Sequence, residues 1–259
     1  MRNWYKFLNL NDWLERRRTF AEIRDLERQE SYAELDGSNP LHLAKMSLHV
    51  GDHIEASRRW NQARVSYPAL VRRSRDSITI LLGLKRFDEA EALMASCRQE
   101  FPGDSHYAEG YALVAQSRGD ISEALNRWRK TRRRFPAAWR SYVEEAVCLS
   151  ELGTHDEADH LITRATEMFP SELHIWIQWA RVSDARQQWT QSVSRWQAVA
   201  DRFQWPGALI GKSRAFASLG DTAEALKILT NGIQEFSNDP ALREEIARLS
   251  HATKPSNSH

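Results

Sequence analysis

An aromatic residue followed by proline returns along this chain at a fixed interval. Tyr67-Pro68, Phe101-Pro102, Phe135-Pro136 and Phe169-Pro170 stand 34 residues apart, Phe203 falls on the next step, and Phe236 follows 33 later. A period in this range is the mark of stacked helical units, each too small to bury its own apolar face and each dependent on its neighbours. Proline cannot extend a helix, so every Tyr/Phe-Pro step ends one helix and begins the next unit. The spacing therefore predicts an all-α chain before any other residue is read.

Two further markers keep the same interval. Within each unit lies a turn: Gly51-Asp52, Lys85-Arg86, Gly119-Asp120, Gly153-Thr154, Gln187-Gln188 and Gly220-Asp221. Glycine tolerates the left-handed backbone that closes a helix, and a following Asp or Thr can accept hydrogen bonds from the free N–H groups of the next one. Lys85 and Gln187 stand where the other turns have glycine. Past each turn comes a small residue (Ala56, Ala90, Ala124, Ala158, Ser192, Ala225), then four further on a large apolar one (Trp60, Met94, Trp128, Ile162, Trp196, Leu229). That spacing puts both on one helical face, the small residue admitting the paired helix and the large one filling the gap. Six hairpins result, at 37–70, 71–104, 105–138, 139–172, 173–205 and 206–238. Residues 1–36 contain an amphipathic stretch with Trp13, Phe20, Ile23 and Leu26, expected to form an N-terminal capping helix. Residues 239–250, with Leu242, Ile246 and Leu249, are expected to cap the other end, and 251–259 to be a disordered tail.

The Gly–Ala–aromatic–Pro spacing resembles the tetratricopeptide repeat (TPR) over residues 37–238, most clearly at Gly119, Ala124, Trp128 and Pro136 and at Gly153, Ala158 and Pro170. First-helix markers are sparser: Trp176 and Ala180 fit, whereas Ser74 and Ser77 occupy places where large apolar residues are usual. The resemblance implies a right-handed α-solenoid of six repeats and a binding role without chemistry. A longer period overlies the short one. Arg59-Trp60, Arg127-Trp128 and Arg195-Trp196 alternate with Leu93-Met94, Leu161-Ile162 and Ile228-Leu229, which makes three double units of two 34-residue steps. Such paired repeats resemble bacterial helical modules that accompany transferases of surface polysaccharides.

Charge adds an orientation. The total is only +1, yet residues 1–140 hold 25 Lys/Arg against 19 Asp/Glu and residues 141–259 hold 11 against 16, or +6 and −5. Cys97 and Cys148 fall within expected helices and read as buried free thiols suited to a reducing cytoplasm. The apolar N-terminal run is broken by Lys6, Asn9, Asn11 and Asp12, and no cleavage site follows, which argues against a signal peptide or a membrane span.

No catalytic constellation, cofactor loop or metal-ligand spacing is visible, so no enzyme activity, cofactor or metal is expected. His49 and His53 flank a helix break, and Glu144-Glu145, Asp156-Glu157 and Glu244-Glu245 read as solvated faces. Trp60, Trp128 and Trp196 belong to the repeat core, while Trp139, Trp189 and Trp205 sit at helix starts or turns and are freer to make contacts. The basic run Arg127, Arg129, Lys130, Arg132, Arg133 and Arg134 wraps around one helix. It is either a charged outer face offset by nearby carboxylates or a docking surface for an acidic partner, with nucleic acid or anionic lipid as the weaker alternative. The TPR resemblance implies a concave surface lined by first helices: Arg72, Arg75 and Thr79, then His106, Glu109, Leu113 and Gln116, then Arg140, Val143 and Val147, then His174, Ile177, Arg181 and Asp184, with Arg214. Its arginines would favour an acidic segment, although the Lys/Asn pattern of the chaperone-binding clamp is missing. The expected role is a non-catalytic protein-interaction scaffold, with an enzyme complex of cell-surface polysaccharide assembly as the favoured partner. A self-assembling scaffold is the alternative, followed by a nucleic-acid-binding repeat protein.

Overall fold

A computed structural model describes residues 39–237 and 239–252, and among these every regular element is an α-helix. The expected N-terminal cap and most of the tail lie outside the described residues. The chain divides into two compact units that meet in sequence at Phe135 and Pro136. The first contains α1 (Asn39–His49), α2 (His53–Ser66), α3 (Pro68–Arg73), α4 (Asp76–Gly83), α5 (Phe87–Glu100), α6 (Ser105–Arg118) and α7 (Ile121–Arg134). The second contains α8 (Trp139–Glu151), α9 (His155–Met168), α10 (Leu173–Ala185), α11 (Trp189–Phe203), α12 (Pro206–Ser218), α13 (Thr222–Glu235) and α14 (Pro240–Ala252).

The turn chemistry acts as its residues dictate. Gly51, Gly119, Gly153 and Gly220 all have positive φ, and so do Lys85 and Gln187, each at φ 57°. The glycine-free turns thus keep the geometry of the others and carry the strain of a side chain in the left-handed region. Asp52, Asp120 and Asp221 each accept the backbone N–H three residues on, from Glu55 (2.9 Å), Glu123 (3.1 Å) and Glu224 (3.0 Å). At the far end of five second helices the aromatic is the C-cap: the N–H groups of Tyr67, Phe101, Phe135, Phe169 and Phe236 reach back to Ala63, Cys97, Thr131, Ala165 and Gly232. α11 instead runs through Phe203 and ends at Gln204 in the left-handed region, two residues before Pro206.

The small and large markers meet in the cores. Ala56, Ala90, Ala124, Ala158 and Ala225 are fully buried, as are Trp128, Ile162 and Leu229, with Trp60, Met94 and Trp196 nearly so. Aromatic caps join them: Phe101 stacks on Tyr107 at 5.2 Å, and Tyr142 meets Phe169 edge-on at 5.3 Å. In the second unit, α14 lays Leu242 and Leu249 against Ala225 and Leu229 of α13.

One first helix departs from the expected pattern. The segment after Pro68 breaks into α3 and α4 because Ser74 is extended (ψ 132°). Its hydroxyl accepts the Asp76 N–H at 3.2 Å and starts a new helix, and Ser77 donates to the Val71 carbonyl at 2.7 Å. The two serines that weakened the repeat pattern stitch the break together.

Candidate functional site: the inner face and its neighbouring arginines

Two arginine–carboxylate networks, one in each unit, stand in the same sequence register. In the first unit Glu91 on α5 receives Arg127 of α7 at 2.6 Å and Arg118 of α6 at 3.2 Å, while Arg118 also holds Asp88 at 2.8 Å. Arg127 further donates to Glu123 (2.7 Å) and to the Tyr111 carbonyl (2.9 Å), its guanidinium 3.7 Å from the Tyr111 ring centroid. Add 68 to each number and the second unit repeats the design, except that Glu123 falls on Gln191. Asp159 on α9 takes Arg195 and, at 3.4 Å, Arg186; Arg186 holds Asp156 at 2.7 Å, and Arg195 reaches the Trp179 carbonyl (2.8 Å) over that ring at 4.6 Å. Trp128 donates to Gln116 and Trp196 to Asp184, and Arg134 and Arg202 cap the Pro102 and Pro170 carbonyls at 2.7 Å. The alternation of Arg-Trp along the sequence is the visible edge of these networks.

The networks change the reading of the basic run. Arg127 is a core residue with its side chain 12% exposed. Arg134 closes a helix end and lies 5.5 Å from the Phe135 ring. Arg129 and Arg132 are half-buried, so of the expected basic surface only Lys130 and Arg133 project freely from the helix beside Arg134. Two groove candidates are likewise turned inward: Gln116 is buried and accepts the Trp128 indole at 2.7 Å, and Asp184 accepts Ser192 Oγ and Trp196 Nε1 (3.1 Å). Asp184 is correspondingly raised above the usual carboxylate range by burial, against the pull of those bonds and of Arg181 and Arg214.

Other candidates of the first unit are partly committed. Arg72 is exposed but bonded to Glu100 and, at 3.3 Å, to Ser96. Arg75 is exposed just before α4, His106 packs edge-on against Tyr107 at 5.3 Å, and Glu109 is half-buried on α6. His49 spends its Nδ1 on the Lys45 carbonyl at 3.1 Å.

In the second unit the first helices keep a coherent row of matching positions. Val143 and Val147 of α8, Ile177 and Arg181 of α10, and Ile210 and Arg214 of α12 occupy the same pair of positions one turn apart on three successive first helices. Arg140 is exposed with Glu144 at 3.7 Å, and His174, also exposed, stacks on Trp139 at 5.2 Å and 17°. Trp139, Trp189 and Trp205 are all half-buried. Arg214 makes a two-pronged pair with Glu245 of α14 (3.0 and 2.8 Å), and Glu245 also receives Arg248 Nε at 3.0 Å. Burial raises the Glu245 carboxyl, but the two guanidinium bonds outweigh it and hold it below its ordinary value.

The expectation of solvated carboxylates therefore fails at two places: Glu245 is 4% exposed and Glu145 is 2%. Glu91, Asp159, Arg118 and Arg186 were also missed by sequence reasoning, although their own 68-residue spacing would have revealed them. Cys97 and Cys148 are both buried and free, and burial pushes the Cys148 thiol up to about 12. Among the described residues no three His, Cys, Asp or Glu side chains converge as metal ligands, and no helix is long and apolar enough to cross a membrane.

Residues 107–172 match the family model described as tetratricopeptide repeat. Among solved structures, a thermophilic TPR protein of Thermus thermophilus is similar at 19% identity and a TM-score of 0.54, over 67% of this chain and 95% of that one. A tetratricopeptide repeat protein of Parabacteroides merdae is similar at 15% identity and 0.59, over 83% and 86%. PilW, a type IV pilus biogenesis factor, is similar at 16% identity and 0.58, over 81% and 98%. No curated protein sequence matches.

Proposed function

We propose that this chain, a tetratricopeptide repeat protein by its repeat pattern, its matched family model and its fold, is a non-catalytic scaffold whose second unit grips a partner protein along the inner row of α8, α10 and α12. The observation that carries the reading is the contrast between helices. The second helices spend their markers on core packing and on the arginine networks, whereas Val143, Val147, Arg181 and Arg214 stay at least partly accessible on three consecutive first helices. A face built on packed helices is ordered before binding, so little entropy is lost when a segment docks. The setting we propose is a cytoplasmic enzyme complex of cell-surface polysaccharide assembly; its support is the likeness of the paired repeats to helical modules of such systems.

Photo-crosslinking in cells tests the site. A benzophenone side chain placed at Val143 or Val147 is expected to trap one protein, while the same group at Lys130 or Arg133 traps none. Adducts from the Lys130 and Arg133 positions alone would overturn the inner-face reading. Adducts between copies of this chain would replace the adaptor role with self-assembly.

A further inference from the structure

Two basic residues on first helices of this molecule pair with an acid about one repeat further along. Lys45 of α1 meets Asp76 of α4 at 2.8 Å, and Arg214 of α12 meets Glu245 of α14 at 2.8 Å, both 31 residues on. The same step from Arg181 lands on Gly211-Lys212 of α12. Gly211 is required there by packing, since a Cβ would lie 2.4 Å from the Trp196 ring, and Lys212 is a second cation bonded to Gln197. Asp184, one turn further on α10, has given its oxygens to Ser192 and Trp196. Arg181 is thus an exposed guanidinium at a position where these other rungs have a carboxylate supplied by the fold. Its pKa is lowered by the protein packed around it and by Arg214, which outweigh Asp184.

The molecule also shows what fits such a rung. The helix α14 presents aliphatic residues, Leu242, Ile246 and Leu249, and among them places Glu245 on Arg214. One rung earlier, Arg181 sits a turn beyond Ile177, with Ile210 and Val147 on the flanking helices. We infer that the inner face selects a partner segment that carries a carboxylate among aliphatic side chains, and that Arg181 is the residue that takes the carboxylate. The inference rests on the inner-face reading above and names the chemistry of its partner.

A phage library of random 16-residue peptides, selected in parallel on the full-length protein, on Arg181→Gln and on Arg181→Glu, separates the two claims. On the unaltered protein the enriched peptides should hold Asp or Glu flanked by Leu, Ile or Val. A synthetic copy of the best one should bind about tenfold more tightly than its Gln or Asn counterpart, the size expected of one charge-assisted hydrogen-bonded pair. That preference should vanish with Arg181→Gln, whose affinity for the amide peptide stays unchanged, and should turn toward Lys- or Arg-bearing peptides with Arg181→Glu. Because Arg181 is exposed, each variant should keep the helical circular-dichroism spectrum and melting temperature of the parent. Enriched peptides without acidic residues, or an acid preference that survives Arg181→Gln, would overturn the inference and leave the inner-face reading standing. Failure to enrich any peptide would overturn both.

Discussion

Arg127, the centre of the first network, offers the sharpest stability test. In Arg127→Met the aliphatic stem keeps its packing, while the guanidinium and its bonds to Glu91, Glu123 and the Tyr111 carbonyl are lost. Glu123 returns to water at its exposed position, and Glu91 keeps Arg118 at 3.2 Å, so neither acid is stranded. What goes is a set of charge-assisted bonds and a cation–π contact at 3.7 Å, and we expect a net loss of about 2–3 kcal/mol. Glu91→Gln removes the charge and, because its amide nitrogen cannot accept, the bond to one of the two arginines, and should cost about 1–2 kcal/mol. If the pair acts as a unit, the double variant falls short of the sum by about 1 kcal/mol. Hydrogen exchange followed by mass spectrometry is the suitable assay, because a repeat stack need not unfold in one step. Protection should drop by about thirtyfold or more in α5, α6 and α7, the equivalent of about 2 kcal/mol. Arg195→Met should do the same in α9, α10 and α11. A coupling below about 0.3 kcal/mol between Arg127 and Glu91 would show that the network is incidental.

Two other outcomes are expected. Gln187→Gly and Lys85→Gly each relieve a left-handed side chain at φ 57°, and each should raise stability by about 0.5–1 kcal/mol in urea titrations, whereas Gly119→Ala should lower it by about 1 kcal/mol. Acid should destabilise the first unit through Glu55, whose hydrogen bonds from Arg58 and Arg59 hold it at about 2 against the ordinary 4.5. The folded pKa is depressed, so the stabilisation is complete above 4.5 and disappears as pH falls toward 2. Glu123 and Glu245 act in the same sense, while Asp184, raised by burial, acts in the opposite one. Urea midpoints measured from about pH 5 down to about pH 3 should fall less steeply for Glu55→Gln than for the parent, and parallel slopes would refute the assignment.

What the sequence disclosed and what it hid divide along a physical line. Gly119, Ala124, Trp128 and Phe135 act through backbone conformation, size and helical phase, all of which are properties of the residue and its spacing. Those expectations hold in the structure. Arg127, Arg133 and Arg134 are the same residue type within one helix, yet one is half-buried between two carboxylates, one projects into solvent and one caps a neighbouring carbonyl, because each acts through what faces it. Glu245 next to Glu244 shows the same divide: only the first meets Arg214. Ser74 is intermediate. Its poor fit to the repeat was visible, but the helix break it makes depends on a hydroxyl finding the Asp76 N–H.

The shared acid of each network also sets where the chain can be cut and rejoined. Glu91, Tyr111 and Arg127 come from the second helix of one hairpin and both helices of the next, as do Asp159, Trp179 and Arg195. A graft made at the hairpin boundary near Pro170 would separate the Arg195 guanidinium from Asp159, and one near Pro102 would take Glu91 from Arg127 and leave it Glu123, even with every consensus position kept. The transferable cassette is therefore one and a half hairpins long, from Phe87 to Phe135 or from His155 to Phe203, and recombinants built on that frame should fold where single-hairpin swaps fail.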